Sequence, residues 1–294
     1  MKRKKTDGIT IFLFLLPALL LFVAILVAPL ISSGFNSFFK WNGIGNKEFL
    51  GWKNYKNLFD KSQIPFWHSV RNAMLLAGLS VFIQLPLALF LALLLGRGIK
   101  GERFFLSVNF LPVLISTVVI GQLWLKIFHP EGLVNALLLK IGYLKDPNNV
   151  PQWLGEGKGL LLYSCFIPML WQYVGYHMLL MYAGVKSVPT ELREAAKIDG
   201  ATDAQVDWHI VIPSMKQIIK VSVIFAVTGS LKSYDLIAII AGINSNEAAV
   251  PSTLLKRHMS LRMEYGLGSA IAVLLIILCF ACSIAIGAIF KERD

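Results

Sequence analysis

Apolar residues in this chain gather into long uninterrupted runs separated by polar intervals, without the period-two alternation of a half-buried strand. Six runs are long enough to cross about 30 Å of hydrocarbon as helices of roughly 20 residues. They lie near Ile9 to Ile31, Ser69 to Leu95, Phe104 to Phe128, Leu160 to Val185, Ile218 to Ala241 and Leu267 to Phe290. Closed β-barrels are the other spanning solution, and unbroken apolar runs argue against them. The pattern therefore predicts an all-α integral membrane protein of six transmembrane helices. It divides into residues 1–32 (tail and first span), 33–68 (an outer, aromatic-rich segment), 69–290 (the membrane core) and 291–294 (the tail).

One polar interval, residues 186–217, has the room and polarity to meet a soluble partner. Pro189 sets φ near a helical value and needs no amide partner in a first turn, so a helix is predicted to start around Val188 to Thr190. Glu191 and Glu194 sit at its favourable N-terminal end, and Leu192, Ala195 and Ala196 share one face. Gly200 suits a C-cap or sharp bend. Thr202 to Gln205 then fits the T-x-x-Q capping box, starting a second short helix that runs through Trp208 and His209 until Pro213. On pattern alone this is also compatible with an ordinary polar loop.

Composition agrees with the membrane reading. Hydrophobic residues make up 56% of the 294, charged residues 15%, and the mean hydropathy is +0.64, outside the range of soluble globular domains. Lys2-Arg3-Lys4-Lys5 places the N-terminus in the cytoplasm, and six spans return the C-terminus there; Lys and Arg are then about twice as dense inside as outside. A net charge of +11 accordingly reads as topology and anionic-lipid contact rather than nucleic-acid binding. The first run is longer than a signal-peptide core and no A-x-A site follows, which favours an uncleaved span. Cys279-x-x-Cys282 has neither a second cysteine pair nor clustered histidines, so these are expected to be small buried helix residues and no metal is expected.

Pro17, Pro29, Pro86, Pro112 and Pro168 fall inside the first four spans, where each can kink its helix. The outer segment 33–68 carries ten aromatic residues, readable as an interfacial belt or as a surface for an external partner. Gly96 to Gly101 spells G-x-G-x-x-G but no strand precedes it, and Gly155 to Gly159 lacks the spacing and Ser/Thr of a phosphate loop. The chain is expected to bind no ATP and no other cofactor. In the fourth span Trp171, Gln172, Tyr173, Tyr176 and His177 cover a broad face, offering rings and hydrogen-bonding tips to a sugar, or equally to a neighbouring helix. In the fifth span Lys232 and Asp235 are costly charges that either face a watered path or neutralise one another as an i, i+3 pair.

The segment Glu194-Ala195-Ala196, Gly200 and, after nine intervening residues, Ile210-Val211-Ile212-Pro213 resembles the EAA motif of permease subunits of bacterial ABC importers. Asp199-Gly200-Ala201 is similar to the version in the carbohydrate-uptake branch. Gly51-Trp52-Lys53-Asn54-Tyr55 with Leu58-Phe59, Pro86-Leu87-Ala88-Leu89, Phe110-Leu111-Pro112, Gly132 to Asn135 and Pro151 to Leu154 also resemble segments of sugar permeases. Two departures are visible: Asp207 stands where a bulky aromatic is common, and Ala241 to Ser245 replaces a G-G-P segment.

The resemblance implies a type I importer bundle in the bacterial cell membrane. It also implies a coupling role for Glu194, Ala195, Ala196, Asp199, Gly200, Ala201, Ile210 and Pro213, through a helix that docks on a cytoplasmic ATPase. Implied partners are a second permease subunit, two ATPase subunits carrying ATP and magnesium, an extracellular solute-binding protein, a carbohydrate substrate and membrane lipid. The chain itself would be no enzyme. An ion-coupled secondary transporter using Lys232 and Asp235 is the alternative, but no internal repeat supports it. An intramembrane enzyme would need a nucleophile with a base, or a metal cluster, and the five histidines are scattered.

Overall fold

A computed structural model describes residues 5–60, 64–157 and 159–290. The basic residues 2–4 and the tail 291–294, on which much of the expected orientation rests, lie outside the described residues, as does Lys158. Two compact units are distinguishable: residues 1–64 with 255–274, and residues 65–254 with 275–294.

In the first unit, α1 (Lys5–Phe22) continues through a π-helical turn, Val23–Val27, into α2 (Ala28–Asn36). A two-stranded antiparallel hairpin follows, β1 (Phe39–Lys40) on β2 (Glu48–Phe49), then α3 (Lys53–Phe59). The hairpin was not expected from the sequence, because strands of two residues leave no periodicity to detect. It explains the Asn54-Tyr55 pair. Asn54 Nδ2 donates to the carbonyls of Ser37 (2.8 Å) and Phe39 (3.0 Å), and the Tyr55 hydroxyl donates to Ser37 Oγ at 2.8 Å. These two residues are buried anchors for the turn, while Trp52 and Phe49 remain exposed.

The second unit is helical. Its elements are α4 (Phe66–Leu79), a π turn at Ser80–Gln84, α5 (Leu85–Gly96), α6 (Glu102–Leu114), α7 (Thr117–Ile127), α8 (Leu133–Lys140) and α9 (Leu160–Ser187). Then come α10 (Thr190–Ile198), α11 (Asp203–Val206), a π turn at Asp207–Val211, α12 (Ile212–Ser214), α13 (Lys216–Lys232) and α14 (Asp235–Ile240), and α15 (Pro251–Lys256) begins in this unit and ends in the first. The last helix, α16 (Tyr265–Ile289), runs from the first unit into the second.

Among the described residues four helical stretches are long and apolar enough to cross a membrane: Thr10–Asn36, Phe66–Gly96, Lys216–Ile240 and Tyr265–Ile289. These match the expected first, second, fifth and sixth spans to within a few residues. The expected fourth lies on α9, whose 28 residues reach about 42 Å at 1.5 Å per residue, although its middle is more polar. The third falls on a bent pair of helices, a broken span or a re-entrant pair. Phe104 to Phe128 is not one rod but α6 and α7, bent by 94° at Ile115–Ser116. At about 20 Å and 16 Å, neither half crosses 30 Å of hydrocarbon alone. An uninterrupted apolar run records burial in lipid or protein but not direction, so the bend was invisible in it.

Packing in the second unit rests on α9. Its Gly175 meets α6 so closely that a Cβ there would land on the Asn109 carbonyl, and a Cβ on Gly96 of α5 would land on the Val185 side chain. Leu85, Ala88, Ala92 and Leu95 of α5 share one buried cluster with Met178, Met181 and Val185 of α9 and with Val206, Val211 and Met215 of the polar loop.

Candidate functional site

The polar loop folds largely as its local chemistry dictates. Pro189 sits at the N-cap position, one place before the helix rather than in its first turn. Gly200 has φ +85, and the bonds Gly200 N to Lys197 O (3.1 Å) and Ala201 N to Ala196 O (2.9 Å) form a Schellman end. The capping box forms as well: Gln205 N donates to Thr202 Oγ1 at 3.4 Å, and Thr202 N to Gln205 Oε1 at 2.8 Å. No residue of α10 is buried, and Glu194 and Ala195 are exposed together with Leu192 and Ile198. The second half is different. Val206 and Val211 are buried, whereas Trp208 is 69% exposed and Ile210 half-buried. Residues 196, 199 to 201, 205, 206, 209 and 210 surround a shallow depression between the two halves.

Ion pairs tie this loop to its surroundings. Arg97, in the turn after α5, reaches Asp207 Oδ2 at 2.5 Å, and Lys197 of α10 reaches Asp203 Oδ1 at 2.8 Å. Lys186 lies 3.3 Å from Glu102 Oε1, which also accepts from the Tyr182 hydroxyl. The Lys197 hydrogen bond holds the Asp203 carboxyl below the usual carboxylate range, with the Coulombic field of the same lysine as the next cause. Charge spacing along one element gives no hint of these contacts, because Arg97 and Asp207 are far apart in sequence.

Within the helical unit a cavity of about 300 Å³ gathers six of the seven membrane-embedded candidates: Gln172, Tyr173, Tyr176, His177, Lys232 and Asp235. Trp171 does not line it; its ring packs against Trp124 of α7, centroids 6.0 Å apart. Gln172 and His177 are 3% and 4% exposed, and Gln172 Oε1 and His177 Nδ1 have no hydrogen-bond partner among the described residues. Burying such an atom unpaired costs about 1–3 kcal/mol.

Lys232 and Asp235 are not the ion pair that i, i+3 spacing allowed. The helix ends at Lys232, Ser233 is extended, and Asp235 opens α14 at its favourable N-terminal end, so the two side chains no longer share a helical face. Both are exposed, and no ion pair between them is found among the described residues. Sequence reasoning missed Ser80, Gln84, Thr117 and Ser230, which also line the cavity. Gln84, a polar side chain inside an apolar run, is the one for which intramembrane polarity was an available signal.

A family model described as the binding-protein-dependent transport system inner membrane component matches residues 84–293. The chain belongs to this family. It is thus a multi-pass membrane component of a transport system rather than an enzyme. The probable ABC transporter permease protein YurN of Bacillus subtilis is 35% identical over 285 residues, 95% of each chain. Two other relatives are the diacetylchitobiose uptake system permease protein NgcF of Streptomyces coelicolor and the multiple sugar-binding transport system permease protein MsmF of Streptococcus mutans. NgcF is 29% identical, covering 93% of this chain and 80% of its own; MsmF is 28% identical, covering 90% and 89%.

Among solved structures, one protein chain of a bacterial alginate ABC transporter in complex with alginate pentasaccharide-bound periplasmic protein superposes with a TM-score of 0.82 over 98% of both chains. At 21% identity that likeness concerns the fold.

Proposed function

We propose that this chain is the permease subunit of an ATP-driven importer that passes a carbohydrate delivered by an extracellular solute-binding protein. The observation that carries the reading is α10, a helix with no buried residue, set between the membrane helices α9 and α13. A solvent-facing helix carrying Glu194, Ala195, Leu192 and Ile198 is what a soluble motor subunit needs to grip. Its rigid ends, at Pro189 and at the Schellman turn, let it move as a lever. The carbohydrate assignment draws on the sugar uptake named for the relatives, and on a cavity that combines Tyr173 and Tyr176 rings with the free polar atoms of Gln172 and His177.

On this reading the bent α6–α7 pair counts as one broken span, so the chain has six spans with both termini inside, and it binds neither ATP nor metal. A second permease completes the pathway, two ATPase subunits carry ATP and magnesium, and lipid surrounds the assembly. Ala196, Asp199, Gly200, Ala201, Ile210 and Pro213 keep the docking helix at a fixed angle.

The test is a mild-detergent pull-down of the tagged chain, with ATPase assays on the co-purifying subunits and uptake of neutral di- and oligosaccharides in vesicles. The expected result is recovery of a nucleotide-binding subunit and a second permease, the former lost on Glu194→Lys. Recovery of this chain alone, with solute uptake driven by an ion gradient, overturns the reading in favour of a secondary transporter working through Lys232 and Asp235.

A further inference from the structure

We infer that the Arg97–Asp207 ion pair is a positioning contact that makes the turn between α5 and α6 travel with the coupling loop as one body, so that loop displacement enters the membrane through that hairpin as well as through α9 and α13. The inference rests on the coupling reading of the loop, and it adds a second transmission route to it.

Four observations converge on this. Arg97 Nη2 meets Asp207 Oδ2 at 2.5 Å across two separate elements, with side-chain exposures of 41% and 16%. The flanking backbones are packed without slack: Val206 and Val211 of the loop are buried in the same cluster as Leu95 and Val185, and the α5 to α9 approach at Gly96 leaves no room for a Cβ. The other end of the turn is tied as well, Glu102 accepting from Tyr182 and lying beside Lys186 of α9. On the outer side Asp203, one helical turn from Asp207, joins the exposed α10 through Lys197. Charges therefore run from the docking helix to the α5–α6 turn and on to α9.

The magnitude fixes the role. A partly exposed pair shifts an equilibrium by at most about fivefold. It is too weak to hold the fold together, which the apolar cluster does, but sufficient to choose between two orientations of the loop edge beyond Val206. That edge carries Trp208, which is 69% exposed.

The experiment places spin labels on Lys100→Cys and Ala204→Cys, both at exposed positions. Cys165, Cys279 and Cys282 are replaced by alanine, and distances are read in nanodiscs by pulsed electron resonance. Wild type is expected to give one narrow distribution, unchanged between the nucleotide-free assembly and the ATP–vanadate-trapped one. Arg97→Glu or Asp207→Arg alone broadens it, with up to about a fivefold rise in a second population, and 1 M NaCl does the same to wild type. Arg97→Lys, or the paired swap Arg97→Glu with Asp207→Arg, restores the narrow peak. A distance that changes between nucleotide states in wild type overturns the inference. So does a narrow peak that survives charge reversal, or a swap that fails to rescue. Because the charge-reversal readout lies within this chain, it stands even if no ATPase co-purifies, an outcome that would sink the importer reading alone.

Discussion

Replacing Gly200 separates backbone conformation from space at the turn that ends the docking helix. Its φ is +85, and no atom outside its chain neighbours lies within 4 Å of where a Cβ would stand. A side chain there clashes with nothing, so the whole cost is the left-handed backbone, about 1–2 kcal/mol for a residue with a Cβ. That amounts to roughly a 5- to 30-fold loss in the population of the ordered turn. Two hydrogen bonds depend on that turn, Gly200 N to Lys197 O and Ala201 N to Ala196 O.

Gly200→Ala and Gly200→Ser should therefore be about equally damaging, and Gly200→Asn distinctly milder, since asparagine tolerates this region. Hydrogen exchange of the 195–206 amides in nanodiscs reads the turn directly, and ATP-driven saccharide uptake in vesicles reads its consequence. The expected order of protection is Gly, then Asn, then Ala and Ser together. Unchanged protection of Ala201 in the alanine variant, or a penalty that grows with side-chain volume, refutes the reasoning.

Two contrasting pairs of substitutions concern the helical unit. Gly175→Ala puts a Cβ on the Asn109 carbonyl, where backbone meets backbone and cannot yield, so melting in detergent should fall by the equivalent of about 1–3 kcal/mol. Gly229→Ala, on the cavity wall with nothing within 4 Å, should leave melting unchanged. His177→Leu removes a ring whose Nδ1 has no partner, so melting should hold or rise while uptake is lost. Gln84→Leu instead removes the Nε2 donor that reaches the Leu170 carbonyl of α9 at 3.0 Å, and should lower melting.

What the sequence made legible was local. The capping box, the glycine turn and the helix between them are decided by residues a few places apart, and each appeared where its chemistry required. Four of the five candidates on α9 also came together in space, because one helix face is a matter of spacing. Directions and partners across the fold were hidden. Nothing in Leu114-Ile115-Ser116 announces a 94° bend, and no proline or glycine marks the break at Ser233–Tyr234 that parts Lys232 from Asp235. Asp207 looked like an anomaly in its motif until Arg97, more than a hundred residues away, supplied its partner.

The prolines join these two levels. A proline ring inside a helix presses on the carbonyl four residues back. For Pro29, Pro86 and Pro213 that carbonyl belongs to Ile25, Phe82 and His209, and each of these lies in a π-helical turn, Val23–Val27, Ser80–Gln84 or Asp207–Val211. The widened turn absorbs one extra residue, and with it a rotation of about 100° in everything upstream.

In the loop this has a specific consequence: the π turn begins at Asp207, so Pro213 sets the azimuth at which that carboxylate meets Arg97. Pro213→Ala relieves the clash and permits an ordinary helical turn, which would swing Asp207 off the α5–α6 turn. The Lys100 to Ala204 label distance should then shift and broaden as it does in Arg97→Glu, and adding Arg97→Glu to Pro213→Ala should change it no further. A distance unaltered by Pro213→Ala would mean that burial of Val206 and Val211, rather than the proline, holds the turn open.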